Sequence, residues 1–122
     1  MKNYICLVLS MILLGCANII PPAGGEKDVN PPTLLSATPP NESLNFNAES
    51  ISLIFDEYIQ LNNKDAIKIS PICEPHPEIV VRGKKIQIQL FCPFDSAVTY
   101  TINFGKSIAD LNEGNILENF TY

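Results

Sequence analysis

A chain of 122 residues has room for one small domain and little else once a leader is set aside. Its 8 Lys+Arg stand against 13 Asp+Glu, a net charge of −5, and the only adjacent basic pair is Lys84-Lys85. Phosphate contacts need clustered Lys and Arg, so nucleic acid is excluded as a partner. An acidic chain also gains nothing electrostatically from anionic lipid.

The chain opens with Lys2 and then an apolar stretch of about ten residues, Ile5 to Leu14, closed by the small residue Gly15. This is the layout of a secretory signal peptide, and the run is too short to span a bilayer. The order Leu13-Leu14-Gly15-Cys16 resembles a bacterial lipobox. That resemblance implies that residues 1–15 are a lipoprotein signal peptide, that cleavage falls before Cys16, and that the Cys16 thiol carries lipid. The plainer alternative is an ordinary signal peptide with a cysteine near its end. Each buried CH₂ of an acyl chain adds about 0.8 kcal/mol, and stable anchoring takes more than one chain.

Residues 16–32 read as a lipidated N-terminus and tether. Ile19-Ile20-Pro21-Pro22-Ala23-Gly24-Gly25 is followed by charges and then Asn30-Pro31-Pro32. Prolines fix φ and remove donors, so the segment is expected to be extended and poorly packed.

From residue 33 to 122 the pattern has period two. Ile51, Leu53 and Phe55 alternate with Ser52, Ile54 and Asp56; Ile86, Ile88 and Leu90 with Gln87 and Gln89; Tyr100, Ile102 and Phe104 with Thr101 and Asn103. One apolar and one polar face per run is the mark of half-buried antiparallel strands. Seven strands are predicted, at about 33–38, 50–56, 66–70, 78–82, 86–91, 98–105 and 117–122. Asn62 to Ile67 has room for at most one helical turn. Arg82-Gly83-Lys84-Lys85 reads as a tight hairpin with Gly83 free to take positive φ. Many short strands at this spacing argue for an all-β fold, an antiparallel β-sandwich.

Phe55-Asp56-Glu57-Tyr58, then Tyr100-Thr101-Ile102-Asn103-Phe104, then Asp110-Leu111-Asn112-Glu113-Gly114-Asn115 resemble, in that order, a bacterial Ig-like domain of the type named for S-layer proteins. The stretch from Cys16-Ala17-Asn18 through Gly24-Gly25-Glu26-Lys27-Asp28 to Pro31-Pro32 is similar to the start of Ig-like lipoproteins of Bacteroidota. The resemblance covers nearly all of the chain after the leader and implies an Ig-like sandwich. Proteins of this kind usually continue into further domains, so an N-terminal fragment with an incomplete, association-prone last strand is expected.

Six features could carry chemistry. Of the four cysteines, Cys73 and Cys92 remain once Cys6 leaves with the leader and Cys16 takes the lipid. In an exported protein such a pair is expected to be bridged, with two small buried thiols as the alternative. With the turn at Gly83-Lys84, Val81 faces Ile86 and Cys92 would face position 75, two residues from Cys73. Pro75 and Pro77 interrupt the ladder and can absorb that offset. His76, between those prolines, has no nucleophile motif beside it and reads as an exposed loop residue. Asp56 and Glu57, as adjacent strand residues, are expected on opposite faces and not as a catalytic pair.

Asp110, Asn112 and Asn115 gather oxygen ligands around Gly114 and form a candidate calcium loop. The alternative is a turn whose side chains close onto their own backbone. Tyr100 opens a strand after a loop, as in the tyrosine corner of Ig-like sandwiches, where the hydroxyl bonds to upstream backbone; simple core packing is the alternative. Asp95-Ser96-Ala97 resembles an O-glycosylation acceptor of Bacteroidota, with Ser96 as the candidate, against an ordinary loop serine.

No catalytic constellation and no cofactor motif emerges. The expected role is non-enzymatic: a lipid-anchored structural or binding module of the cell envelope, with the membrane as one partner and envelope proteins or glycans as others. The alternative is an accessory domain of a longer envelope enzyme or glycan-binding lipoprotein. Residues 17–20 carry no acidic cluster of the kind that tends to direct such lipoproteins to the surface, so the periplasmic face of the outer membrane is the expected location.

Overall fold

The computed structural model of the chain describes residues 24–122; the leader, Cys16 and the first half of the tether lie outside them. The strands are β1 (Leu34–Thr38), β2 (Ser50–Phe55), β3 (Ile59–Leu61), β4 (Lys68–Ser70), β5 (Glu78–Arg82), β6 (Lys85–Gln89), β7 (Thr101–Gly105), β8 (Ile108–Asp110), β9 (Ile116–Leu117) and β10 (Phe120–Thr121). Between β3 and β4 runs one 3₁₀ turn, Lys64–Ala66, where Asn63 caps by accepting the Asp65 N–H. The protein is all-β, and every strand pairing among the described residues is antiparallel.

The strands form a four-stranded sheet in the order β1-β2-β6-β5 and two three-stranded sheets, β10-β7-β4 and β3-β8-β9. All three contribute to one core. Ile51, Leu53 and Phe55 of β2 meet Ile86 and Ile88 of β6, Ile102 and Phe104 of β7, Ile59 of β3 and Ile108 of β8. Leu53, Phe55, Ile86, Ile88, Phe104 and Ile108 are wholly buried. Burying each side chain of this size is worth about 1.5–3 kcal/mol, so the alternating positions of β2, β6 and β7 drive the sandwich together.

The β5–β6 hairpin has the expected register, with Val81 opposite Ile86 and Arg82 opposite Lys85. Gly83 takes φ +64° at the first of the two central positions, the place where type II′ turns favour glycine. An added Cβ would meet the Tyr58 ring at 3.4 Å, an ordinary van der Waals contact, so the positive φ and not lack of space is what calls for glycine.

Strand count and boundaries differ from the sequence expectation. β3 and β8 are additional. The run expected at 98–105 pairs only from Thr101, and the run expected at 117–122 divides into β9 and β10, which join different sheets. Asn119, at φ +57°, stands between those two and donates its N–H to the Gly105 carbonyl. A left-handed residue there breaks the extended chain and redirects it from one sheet to another. The last residue still joins the ladder, since Tyr122 and Ile102 exchange both backbone hydrogen bonds, at 2.9 and 2.7 Å.

Candidate functional site

A cluster of polar side chains lies where the N-terminal segment meets the sandwich. An open cleft of about 520 Å³ is lined by Asp28, Asn30, Pro31, Thr33, Asp56 and Glu57. β2 ends at Phe55, so strand alternation does not reach Asp56 and Glu57, and both face this one cleft. That corrects the expectation that they lie on opposite faces. Burial raises the Glu57 carboxyl above its usual pKa, and the negative charges of Asp110, Asp56, Asp28 and Glu113 raise it further.

Asp56 is engaged structurally. Its Oδ1 accepts the Thr33 N–H at 2.8 Å while its own N–H donates to the Thr33 carbonyl at 3.0 Å. Lys84 Nζ donates to the Asp56 carbonyl at 2.6 Å and sits 5.6 Å from the centre of the Tyr58 ring. Upstream, Asp28 Oδ1 accepts from both the backbone N–H and the side-chain amide of Asn30, at 2.9 and 2.8 Å. Pro32 is fully buried. The end of the segment read as tether is therefore held on the domain at Pro32 and Thr33, while Asp28, Val29 and Asn30 are exposed.

The Asp110–Asn115 loop borders this junction. Asp110 is fully buried at the end of β8. Its Oδ1 accepts the N–H groups of Glu113 and Gly114, at 2.6 and 2.8 Å, and its Oδ2 accepts that of Asn115 at 2.9 Å. Burial pushes the Asp110 pKa up, but the hydrogen bonds from Gly114, Asn115 and Glu113 outweigh it and hold the carboxyl below its usual value. The carboxylate is thus spent on the turn, as in the backbone-closing alternative. Asn115 sends its side-chain amide to the Asp28 carbonyl at 3.1 Å, and Asn112 is exposed. Among the described residues no group of three or more His, Cys, Asp or Glu side chains is placed to hold a metal ion.

At another place in the domain Cys73 and Cys92 form a disulfide with Cα atoms 5.3 Å apart. Both are buried, while Phe91 and Ile72 beside them are exposed. Tyr100 immediately precedes β7. Its hydroxyl accepts the N–H of Asp95 at 3.4 Å, and its ring packs edge-on against Phe94, which packs in turn against Phe46. His76 is exposed. Ser96 is exposed in a turn whose next residue, Ala97, has φ +69°. Cys16 lies outside the described residues, and no described helix is long and apolar enough to cross a membrane.

Two structural ties went unread in the sequence: Asn115 to Asp28, and the Tyr122 hydroxyl to the Pro39 carbonyl at 2.8 Å. They join residues 87 and 83 positions apart, and no local pattern signals them.

A family model described as a bacterial Ig-like domain matches residues 28–122. Its start coincides with Asp28, the first of the described residues tied to the sandwich. No match was found among curated proteins or among solved structures.

Proposed function

The chain belongs to the bacterial Ig-like domain family, and on that premise we propose that it is a non-catalytic structural or binding module held at the cell envelope by lipid on Cys16. Domains of this family are generally non-catalytic modules. The carboxylates of the described site support that reading: Asp110 closes its own loop, and Asp56 holds Thr33.

The observation that carries the anchoring is the order Leu13-Leu14-Gly15-Cys16 after an apolar run with Lys2 in front. The sandwich begins close behind it, so the lipid would hold the domain near the membrane while its loops meet envelope proteins or glycans. The absence of acidic residues at positions 17–20 favours the periplasmic face of the outer membrane.

Replacing Cys16 by Ser tests the anchor. The variant should leave the membrane fraction or accumulate as uncut precursor. Unchanged processing and membrane fractionation would overturn the proposal.

A further inference from the structure

We propose that Asp28–Thr33 is a strap latched onto the sandwich by the Asn115 side chain, with Asp110 as the residue that sets the latch. The strap has its own shape, because Asp28 Oδ1 takes both the backbone N–H and the side-chain amide of Asn30. Its C-terminal end is fixed by buried Pro32 and by the two hydrogen bonds between Thr33 and Asp56. Asp28, Val29 and Asn30 are exposed. At the N-terminal end the tie to the sandwich is a single bond, from the Asn115 side-chain amide to the Asp28 carbonyl.

Asn115 is well placed for this. Its N–H donates to Asp110 Oδ2 and its carbonyl accepts the Asp110 N–H, so the backbone on both sides of its Cα is held by one buried residue. The amide is therefore aimed before the strap arrives, and closing the latch costs little ordering of the loop. Asp28 lines one cleft with Asp56 and Glu57, and its negative charge is among those that raise the Glu57 carboxyl, so closing the strap sets Asp28 against Glu57. One exposed hydrogen bond set against that repulsion makes a strap that opens locally without unfolding the sandwich.

The latch decides where the sandwich begins mechanically. On the reading that Cys16 is the anchor, the closed strap leaves residues 17–27 as spacer, a reach of at most about 40 Å. An open strap extends that to roughly 60 Å, counted to Thr33. The latch itself does not depend on acylation.

The test compares the full chain with Asn115→Ala, Asp110→Asn and the loop control Asn112→Ala. The first readout is the rate of cleavage after Lys27 by a lysine-specific protease, with the product identified by mass. The second is the backbone heteronuclear NOE of Asp28, Val29 and Asn30. A protease must extend Asp28 to Asn30 to cut, so a closed strap protects this bond. Losing one exposed hydrogen bond should raise cleavage roughly 5- to 10-fold in Asn115→Ala and lower the three NOEs, with the melting temperature little changed. Asp110→Asn should raise cleavage as well, and combining it with Asn115→Ala should add little. Asn112→Ala should behave as wild type. Wild-type cleavage and NOEs in Asn115→Ala would overturn the proposal, as would an equal response in Asn112→Ala. Neither readout involves Cys16, so failure of the latch and failure of the anchor are separate results.

Discussion

Asp110 and Asn115 hold each other by one main-chain and one side-chain bond: the Asp110 N–H donates to the Asn115 carbonyl at 3.0 Å, and the Asn115 N–H donates to the Asp110 carboxylate at 2.9 Å. Between them the chain turns through Gly114 at φ +80°. The loop that borders the N-terminal junction is thus built around one buried carboxylate.

That arrangement gives the acid limb of stability a source. The Asp110 pKa is lowered in the folded protein. Its ionised form therefore stabilises the fold fully above the ordinary carboxylate range, and the contribution is lost as pH falls through the depressed folded value. Asp110→Asn should lower the melting temperature at pH 7 and flatten its decline between pH 5 and pH 2. Thermal unfolding followed by circular dichroism across that range checks this. A decline as steep as that of the wild type would assign the acid sensitivity elsewhere.

Glu57 carries the opposite sign. Its pKa is raised, so its ionised form costs stability above the folded value and the cost disappears as pH falls. Glu57→Gln should raise the melting temperature slightly at pH 7 and have no effect near pH 3. A loss of stability at pH 7 would show that the ionised carboxylate makes a favourable contact in the cleft.

The disulfide closes a loop between residues 19 apart. Chain-entropy accounting gives about 3 kcal/mol for a loop of this size. The double variant Cys73→Ser/Cys92→Ser should lose about that much in urea unfolding. A loss under about 1 kcal/mol would mean that packing alone holds this part of the domain.

Two backbone positions make a paired test. Gly83→Ala forces a Cβ onto φ +64° beside the Tyr58 ring and should cost about 1–2 kcal/mol. Ala97 already sits at φ +69° in an exposed turn, so Ala97→Gly should stabilise by about 0.5 kcal/mol. Urea midpoints of the two variants should move in opposite directions.

Tyr122→Phe removes the hydroxyl that donates to Pro39 while keeping the ring. The expected loss is about 1 kcal/mol, read as a shift in urea midpoint at constant slope. An unchanged midpoint would show that the ring and the ladder to Ile102 do all the holding at this end.

The strands that form the core were the legible part of the fold. β2, β6 and β7 each have one face in the core and one in water, so Ile51/Leu53/Phe55, Ile86/Ile88 and Ile102/Phe104 alternate visibly with polar neighbours. The hairpin at Gly83 followed from the same alternation; the Cys73–Cys92 bridge followed from the cysteine count of an exported chain, with Pro75 and Pro77 absorbing a two-residue offset from the hairpin register. β3 and β8 were hidden for a physical reason. Each has three residues, and all three of β8, Ile108, Ala109 and Asp110, are buried, so no alternation exists to be read. A buried carboxylate in a run of Asp, Asn, Glu and Gly reads as a solvated loop or a cation loop until its three N–H partners are seen.

The junction was illegible in the same way. Asp28-Val29-Asn30-Pro31-Pro32 has linker composition, and the tie at its N-terminal end comes from Asn115, far along the chain. Asp56 and Glu57 were assigned to opposite faces by carrying strand alternation two residues past the end of β2 at Phe55. Strand boundaries are where period-two arguments fail, because alternation holds only while the ladder does.

Anchoring of this Ig-like module by lipid on Cys16 is tested most directly by mass spectrometry of the N-terminal peptide of the mature protein taken from membranes. The mature chain should begin at Cys16, and this residue should carry the added mass of several acyl chains. A mature chain beginning elsewhere, or an unmodified Cys16, would contradict lipid anchoring.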